Sequence, residues 1–525
     1  MFPCSEKDSV MLEELAYTAL HYDYVVVGGG IAGVTCLETL AQLSAFQDDI
    51  KILLISESTL IKALVNYQQI GHTMESMDVT EQDYCTLTSR FSNVTILNSR
   101  VLRLDTDKKH IYLSACEDVY SYGKLCVATG ASPKYLSDNE HVLAVRDTQS
   151  VQQFQEKLKD SERIVIVGNG GIATELVYEV QGCEIIWCVK DKSISSAFFD
   201  DSTAQFFLPH LQESSLPKEK QGKTISRRWK YTSEQCAGSS SAAAKDYSGN
   251  ALGPDWAMSF NLKGASEVLK SLDKVHVEYG VEMDTLLTPH DFSMLNKTEA
   301  TSSSKSWPVY IKLTNRKVYG ADLVLNATGV TPSCSIEFKG ETQIELAKDM
   351  GIIIDTEMRS NIPDVYAAGD VVNTSKWTDT EYWYQMRLWS QAKQMGAYAA
   401  KCMHKHTSQS SISPLSLSYT PPIDMDICFE LFSHVTQFFG FKVVLLGLYN
   451  GQGLQSSEYT VHLRYTPGKE YTRVIVRDGC VVGAVLIGDT DLEETFENLI
   501  LNKLCISHIE DQLLDPDIDI EDYFD

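Results

Sequence analysis

The chain has 525 residues, 43% of them hydrophobic, and a formal net charge of −26. This length exceeds what one ordinary core can organise, so two or three domains are expected. The negative charge would repel a phosphate backbone over most of the surface, which argues against direct nucleic-acid binding. The 13 cysteines are an odd number without a repeating framework, and they favour a reducing compartment over a secreted fold.

Export and membrane signals are not evident in the sequence. Residues 1–22 lack the basic flank and apolar stretch of a signal peptide. The longest apolar stretch, residues 438–449, is interrupted by Lys442 and is shorter than the roughly 20 residues of a bilayer span, so it predicts one buried strand. We therefore expect no membrane contact, no metal site and a location in cytosol or nucleus.

The first elements in the chain are a strand, a glycine turn and a helix. Residues 22–27 are aromatic and β-branched, three glycines follow, and residues 31–43 have helical periodicity. Residues 50–55 supply the next strand, which gives the βαβ spacing of a mononucleotide-binding unit. The same order recurs at residues 163–189. The sequence therefore predicts an α/β fold with two Rossmann-like units.

The remaining chain is less uniform. Residues 209–256 are rich in Ser, Ala, Gly and charge, which predicts a mobile insertion. Later, four strand patterns occupy residues 442–448, 459–465, 472–477 and 481–487, and they predict a C-terminal α+β domain.

Turn and cap signals complete this last part. Asp478-Gly479 stands where a tight hairpin turn is expected. Thr490 and Glu493 have the spacing of a capping box at the start of a helix. The acidic tail, residues 510–525, predicts either a solvated end or a docking strip for a basic partner.

The first glycine turn fits the pattern G-x-G-x-x-G. Gly28 permits the tight turn, Gly30 lets the backbone approach a pyrophosphate, and Gly33 lets helix and strand pack closely. The helix start adds unpaired N–H groups and partial positive charge. For one such turn alone, a glycine-rich turn without a ligand remains an alternative.

The second glycine turn, at residues 168–173, fits G-x-G-x-x-A in an equivalent frame. One dinucleotide needs one fingerprint, so two fingerprints about 140 residues apart most simply predict two dinucleotides that face each other. One dinucleotide would then pass electrons to the other.

Three further motifs complete a resemblance to the FAD- and NAD(P)H-dependent pyridine nucleotide-disulfide oxidoreductase superfamily. They are Ala128-Thr129-Gly130, Ala327-Thr328-Gly329 and the run that ends in Gly369-Asp370. The resemblance implies a glutathione-reductase-like fold in which Asp370 binds the ribityl chain of FAD and Thr129-Gly130 lie near the flavin. A helix N-cap is the alternative role for Asp370.

The resemblance also implies cofactor-binding residues in both units. For FAD these are Gly28, Gly30, Ile31, Ala32, Gly33, Ser56, Glu57, Lys62, Ala128, Thr129, Gly130, Gly369 and Asp370. For NAD(P)H they are Gly168, Asn169, Gly170, Gly171, Ile172, Glu175, Lys190, Asp191, Ala327, Thr328 and Gly329. The implied segments are residues 20–147 for FAD, 148–333 for NAD(P)H, 334–420 for FAD again, and 421–525 for the C-terminal domain.

Within the superfamily, one group of proteins resembles this chain over nearly its whole length. The resemblance rests on residues 164–188, 385–400, 483–499 and 513–525, and the insertion after Pro209 matches poorly. It implies an FAD protein that oxidises NAD(P)H in the nucleus and cytoplasm and protects the tRNA ligase complex from oxidative inactivation.

The superfamily pattern places an acidic residue at the end of the second strand of each unit, where it binds the adenosine ribose, and this chain departs from it. Ser56 stands at the first position, with Glu57 one residue late. At the second position stands Lys190, followed by Asp191. A lysine would accept a 2′-phosphate and an aspartate would favour a free ribose, so NADH and NADPH both stay open. Lys190 could also be an ordinary solvated strand end.

A redox dithiol is not expected. Cys183 and Cys188 have a suggestive spacing, but five steps of about 3.3 Å along a strand separate their Cα atoms by roughly 16 Å. A disulfide needs Cα atoms within about 7 Å. Cys36 is predicted to be a core residue.

Lys62 is the remaining candidate for a catalytic side chain. It stands in the region where relatives place a flavin-facing group, and its charge could favour reduced flavin; a surface lysine is the alternative. The leading hypothesis is an FAD-dependent NAD(P)H oxidoreductase that transfers a hydride from nicotinamide to flavin. The alternatives are a disulfide reductase that uses unconventionally placed cysteines, such as Cys85 or Cys126, and an interaction protein that senses its nucleotide state.

Overall fold

The computed structural model describes residues 19–47, 49–114, 117–212, 260–265, 275–294, 305–378, 380–410 and 424–517, together with Ile520. Most of the predicted insertion, including its basic residues, lies outside these ranges. For residues 209–212 the prediction was wrong, because they belong to a helix that ends at Gln212.

The helices and strands follow one another in four stretches. The first contains β1 (Leu20–Val27), α1 (Ile31–Leu43), β2 (Ile52–Ser56), β3 (Leu60–Gln69), β4 (Glu75–Asp83), α2 (Cys85–Arg90), β5 (Val94–Asn98), β6 (Val101–Asp105), β7 (His110–Leu113), β8 (Val119–Val127) and β9 (Ala131–Pro133). The second contains β10 (Val142–Ala144), α3 (Thr148–Leu158), β11 (Arg163–Val167), α4 (Gly171–Glu179), β12 (Glu184–Val189), α5 (Asp201–Gln212), β13 (Val275–Tyr279), β14 (Met283–Leu287), α6 (Pro289–Met294), β15 (Val309–Leu313), β16 (Val318–Ala321), β17 (Leu323–Asn326) and β18 (Val330–Pro332).

The third stretch contains β19 (Glu337–Lys339), β20 (Ile352–Ile353), β21 (Val365–Ala367), β22 (Val372–Asn373) and α7 (Trp389–Ser410). The fourth contains β23 (Ser433–Phe438), β24 (Phe441–Gly447), β25 (Thr460–Thr466), β26 (Glu470–Arg477), β27 (Cys480–Ile487) and α8 (Glu493–Leu501). Within the part of the chain that the structure describes, no helix combines the length and apolar character needed to cross a membrane.

The first large sheet is built from two separate parts of the sequence. Its order is β19-β6-β7-β8-β1-β2-β5, and β21 also pairs with β8. β1 lies between β2 and β8 as a parallel strand, and its residues 24–27 are buried because cores lie on both faces of the sheet there. β21 pairs in parallel with the end of β8, so the third stretch returns to the edge of the sheet where the first glycine turn lies.

The second large sheet is wholly parallel, with the order β10-β17-β11-β12-β13. The predicted α/β fold with two Rossmann-like units is therefore confirmed. Cys183 and Cys188 are both buried, and they pack into different cores on opposite faces of this sheet. The predicted domain boundaries at 147, 333 and 420 stay predictions.

The C-terminal sheet is antiparallel, with the order β23-β24-β27-β26-β25. Asp478 and Gly479 both have positive φ, 53° and 73°, as the predicted hairpin turn requires. The prediction of one strand over residues 438–449 was wrong. Phe439 and Gly440 also have positive φ, 54° and 76°, so the chain reverses there and forms β23 and β24.

Two further predictions in this region need correction. The residue before α8 is Leu492, which makes no side-chain cap, so Thr490 does not form a capping box. The Glu493 carboxylate pairs instead with the amino group of Lys442 in β24, at 2.8 Å. It also accepts a hydrogen bond from the Thr490 hydroxyl. The acidic tail is not simply solvated, because Leu513 and Ile520 are buried in the C-terminal core.

An aromatic core joins the C-terminal sheet to the second Rossmann-like unit. The ring centroids of Phe207 and Phe439 lie 5.0 Å apart, and those of Phe199 and Phe438 lie 5.6 Å apart. Phe206 lies 5.2 Å from Phe441 by the same measure. Since aromatic side chains bury large apolar areas, these contacts fix the sheet against α5 and the loop before it.

A buried carboxylate joins the C-terminal domain to the first unit. Glu497 in α8 accepts hydrogen bonds from the backbone N–H groups of His72, Thr73 and Met74 at 2.8, 2.5 and 3.2 Å. The Thr73 hydroxyl donates a fourth, at 2.7 Å. Glu497 thereby holds the turn of the β3–β4 hairpin, and its charge is balanced by oriented backbone donors.

We expect Glu497→Ala to destabilise the protein by about 3 kcal/mol, because it leaves buried N–H groups without an acceptor. Glu494→Ala, at an exposed position of the same helix, is the matched control and should change stability by less than about 0.5 kcal/mol. Urea unfolding followed by fluorescence measures both variants. Equal midpoints for the two variants would contradict the assigned role.

Candidate dinucleotide sites

The first glycine turn is shaped by two close backbone contacts. Gly28 has a φ of +121°, and a Cβ atom added there would lie 2.2 Å from the carbonyl oxygen of Ala128. A Cβ added at Gly33 would lie 1.9 Å from the carbonyl oxygen of Gly28. Neither position can hold a larger residue without moving backbone.

Gly30 differs from both of these glycines. Its φ of −76° suits any residue, and no atom lies within 4 Å of where its Cβ would be. Gly30 also precedes α1 directly, where the first N–H groups have no partners within the helix. The turn therefore presents an open backbone surface with free donors, which fits a pyrophosphate.

The third stretch of the chain closes onto this turn. A Cβ added at Gly369, whose φ is +81°, would lie 2.7 Å from the Cβ of Ala32. A Cβ added at Gly396 in α7 would lie 2.2 Å from the carbonyl oxygen of Ala32. These contacts bring Asp370 to the start of α1, next to the first glycine turn.

Asp370 lies inside a 3-10 turn, Gly369–Val371, rather than at a helix N-cap, so that alternative was wrong. Its backbone carbonyl accepts a hydrogen bond of 3.0 Å from Nε of Arg387, which also pairs with Asp349. Burial raises the pKa of the Asp370 carboxyl to about 7, against the opposing charges of Arg387 and Lys62. Asp370 is partly exposed, so a ligand at the start of α1 could reach its carboxyl.

Lys62 lies beside the first turn, where its backbone N–H donates to the carbonyl oxygen of Gly29 at 3.0 Å. It is partly buried, unlike the surface lysine of the alternative interpretation. Burial lowers the pKa of Lys62, while nearby carboxylates, including Glu81 and Asp370, oppose that shift. Lys62 thus lies close enough to Asp370 for the two charges to interact.

Ser56 and Glu57 end β2 in different environments. Ser56 is buried, its hydroxyl donates to the carbonyl oxygen of Ser58 at 3.0 Å, and it packs against Gly29. Glu57 is exposed. Of the two candidates, Glu57 offers an exposed carboxylate at this strand end, and Ser56 supports the turn.

The second glycine turn repeats the first in detail. Gly168 has a φ of +138°, and a Cβ added there would lie 2.0 Å from the carbonyl oxygen of Ala327. Gly28 N–H donates to the strand end at Ile55, and Gly168 N–H donates to the equivalent Cys188. Gly170 precedes α4, and nothing lies within 4 Å of where its Cβ would be. This turn therefore also fits a pyrophosphate.

Asn169 organises the loop after β12. Its Nδ2 lies 2.8 Å from the Asp191 carboxylate and 2.9 Å from the carbonyl oxygen of Ser193, and its Oδ1 accepts from the backbone N–H of Ser195 at 2.6 Å. Burial raises the pKa of Asp191, but hydrogen bonds from Ser196 and Asn169 outweigh it, so the pKa is lowered overall. Asp191 is therefore a fixed, ionised carboxylate at the strand end.

The other predicted residues of this unit surround the same turn. Lys190 is exposed beside Asp191. Gly171, Ile172 and Glu175 are partly buried in the first turns of α4. Lys190 and Asp191 thus offer both charges at the edge where an adenosine ribose would lie.

A short ribbon connects the two sites. β9 follows Thr129-Gly130 and pairs with β18, which follows Thr328-Gly329. The Thr129 hydroxyl donates to the carbonyl oxygen of Ser333 at 2.6 Å, and Lys134 N–H donates to the carbonyl oxygen of Gly329 at 3.0 Å. The two threonine-glycine motifs therefore meet at the junction of the two units.

Two contributors to the first site were not predicted. Arg387 donates a hydrogen bond to the carbonyl oxygen of Asp370, 17 residues earlier, and no local sequence pattern predicts this contact. Gly396 lies inside a long helix, where glycine is unfavourable, so a close helix contact could have been suspected there.

Comparisons with known proteins agree with this geometry. The family described as pyridine nucleotide-disulphide oxidoreductase matches residues 22–214 and 263–396, and the rubredoxin NAD+ reductase C-terminal domain matches residues 437–504. A human relative, pyridine nucleotide-disulfide oxidoreductase domain-containing protein 1, is 45% identical over 513 residues, covering 96% of this chain and 98% of its own.

Solved structures share the fold at low sequence identity. A ferredoxin reductase from Rhodopseudomonas palustris has a TM-score of 0.61 and 14% identity, covering 95% of this chain and 99% of its own. A water-forming NADH oxidase from Lactobacillus brevis, bound to NADH, has a TM-score of 0.58 and 16% identity, covering 95% of each chain. This chain belongs to the pyridine nucleotide-disulphide oxidoreductase family and is a pyridine nucleotide-dependent flavin oxidoreductase whose cofactors are FAD and NAD(P)H.

Proposed function

We propose that this protein oxidises NAD(P)H by passing a hydride to FAD, with FAD at the first glycine turn and the nicotinamide nucleotide at the second. The observation that carries the proposal is the pair of open turns at Gly30 and Gly170, joined through the β9–β18 ribbon. When bound, the two cofactors would supply the redox chemistry, which is hydride transfer from the nicotinamide to the flavin.

The protein would contribute binding, orientation and charge. Backbone N–H groups at the start of α1 would hold the FAD pyrophosphate, Asp370 the ribityl hydroxyls and Glu57 the ribose. Lys62 would place a positive charge near the flavin and favour its reduced form. None of these roles requires a proton relay, because preorganised donors replace water around each cofactor.

In the second unit, the proposal covers both nicotinamide nucleotides. Asp191 is ionised and fixed by Asn169, so its carboxylate could accept the hydroxyls of an unmodified ribose. Lys190 is exposed next to it and could pair with a 2′-phosphate.

We propose that electrons leave the flavin for oxygen, a quinone-like acceptor or a partner protein, without a redox-active disulfide in that electron path. The thiols near the first turn support this. Burial and a hydrogen bond with Cys126 raise the pKa of Cys36, the hydrogen bond being the larger cause, and both residues lie in the core. Cys85 is exposed, but its contact with Asp83 raises its pKa, and a protonated thiol is a poor nucleophile.

Matched alanine variants at the two open turns test hydride transfer. Gly170→Ala should keep bound FAD but raise the NADH concentration for half-maximal anaerobic flavin bleaching by at least about tenfold, since one lost charge-assisted hydrogen bond costs about 1.5–3 kcal/mol. Gly30→Ala should fold and lose FAD. Absorbance at the flavin band measures both.

The same experiment separates the alternatives. A wild-type protein that binds FAD yet is not bleached by NADH or NADPH contradicts the oxidoreductase proposal and favours the nucleotide-state sensor. Disulfide turnover that survives replacement of every cysteine removes the reductase alternative.

The proposed contact of Asp370 with FAD predicts a pH dependence. Ribityl hydroxyls donate to the ionised carboxylate, so FAD binds the deprotonated form, and affinity rises as the pH rises through the pKa of about 7. We expect the affinity of the FAD-free protein for FAD to increase about tenfold from about pH 6 to about pH 8. Calorimetric titration measures it, and Asp370→Asn should give a flat profile; a sloping profile in that variant assigns the titration elsewhere.

We also propose that the protein acts in the nucleus and cytoplasm, where it protects the tRNA ligase complex from oxidative inactivation. The support is the 45% identity with the human relative over 96% of the chain, together with the role that the sequence resemblance implies. Ligase activity after exposure to air and NAD(P)H should persist with wild-type protein and decay with Gly170→Ala. Equal decay in both samples contradicts protection by nucleotide oxidation.

A further inference from the structure

Two cysteines lie opposite each other at one end of the C-terminal sheet. Cys480 begins β27, Cys505 follows α8, and the two residues form an antiparallel β-bridge. Because Ile506 N–H donates to the carbonyl oxygen of Gly479 at 2.8 Å, the cysteines occupy a non-hydrogen-bonded pair. In such pairs the Cα atoms lie about 4.5 Å apart. A disulfide spans Cα distances of about 4.4 to 6.8 Å, so the backbone already permits a bond.

We propose that Cys480 and Cys505 are a peroxide-responsive thiol pair that forms a reversible intramolecular disulfide. The Cys505 thiolate attacks one oxygen of hydrogen peroxide, the O–O bond breaks, and Cys505 becomes a sulfenic acid while hydroxide takes up a proton as water. The Cys480 sulfur then attacks the Cys505 sulfur, the S–O bond breaks, and a second water leaves as the S–S bond forms. Two thiols lose two electrons and two protons, and one peroxide becomes two waters.

The two thiols differ in the way that this order of events requires. Cys505 is exposed, and its sulfur lies 3.3 Å from the hydroxyl of Ser507, a contact that lowers its pKa. Cys480 is partly buried, and burial followed by the charge of Cys505 raises its pKa. An exposed thiol with a lowered pKa beside a second thiol is the arrangement of an attacking and a resolving cysteine.

The sulfur atoms start from separate contacts. The Cys480 sulfur lies 3.6 Å from the carbonyl oxygen of Lys503, whereas the Cys505 sulfur faces Ser507. Because the paired backbone already has a suitable spacing, rotation about χ1 would be the motion that exchanges these contacts for an S–S bond. The bond would join the β26–β27 turn to the segment that leaves α8, the helix that carries Glu497.

None of the other described cysteines combines exposure with a lowered pKa. Cys36, Cys126, Cys183, Cys188 and Cys402 are buried. Cys85 is as exposed as Cys505, but the carboxylate of Asp83 raises its pKa. Cys85 is therefore the matched internal control for thiol reactivity.

The test uses the reduced full-length protein and a small molar excess of hydrogen peroxide. Peptide mass spectrometry without reductant should show the Cys480 and Cys505 peptides joined, with the loss of two hydrogen atoms, and dithiothreitol should separate them. Before oxidation, iodoacetamide should label Cys505 at least about threefold faster than Cys85. The joined protein should run as a monomer on a non-reducing gel.

Single variants check the order of attack. In Cys480→Ser, dimedone should trap a sulfenic acid at Cys505; in Cys505→Ser, Cys480 should stay a thiol under the same dose. Oxidation of Cys85 with Cys480 and Cys505 left unjoined, or a bond only between two molecules, would overturn the proposal. The readout needs neither FAD nor NAD(P)H, so its failure is independent of hydride transfer.

Discussion

Both dinucleotide sites depend on one steric constraint, the contact of a glycine Cα with the carbonyl oxygen at the end of a neighbouring strand. Gly28 meets Ala128 in this way, and Gly168 meets Ala327. A side chain at either glycine would push the turn off the strand and carry the helix start away with it. Because the turn is held so close to the sheet, the helix that follows begins at the sheet edge with its first N–H groups facing outward.

The same constraint explains why the alanine-threonine-glycine motifs belong to the sites. The alanine of each motif supplies the carbonyl oxygen under the turn, and the residues after it lead directly into β9 or β18. Each strand of the ribbon therefore begins just after an alanine that contacts one of the two glycine turns. The two sites are therefore linked through backbone contacts at the junction of the units.

Local patterns in the sequence were sufficient for this part of the molecule. The predicted strand at residues 163–167 and helix at residues 31–43 match β11 and α1, because apolar periodicity and glycine placement are short-range signals. The roles of the individual site residues stay predictions, although the structure gathers them around the two turns. Asp370, for example, reaches α1 only through the packing of Gly369 and Gly396 on Ala32.

Contacts between distant segments could not be predicted in this way. Glu497 holds a turn more than 420 residues earlier in the chain, and its carboxylate looks like any polar helix residue in the sequence. The chain reversal at Phe439-Gly440 was hidden for a different reason. A non-glycine residue with positive φ has no strong local signature, and aromatic packing against α5 compensates for that backbone conformation.

This packing gives the C-terminal sheet a part in the second site. Phe198, which lies 5.3 Å from Phe438 between ring centroids, is the side chain that a Cβ at Gly171 would meet at 3.3 Å. His434 packs between Phe198 and Trp389, and burial lowers its pKa to about 4, so it is a neutral ring at physiological pH. A cluster of uncharged aromatic side chains thus packs against the second glycine turn. Since a charged histidine there would compete with the helix N-terminus for an anion, keeping it neutral leaves the backbone N–H groups as the local attraction for a pyrophosphate.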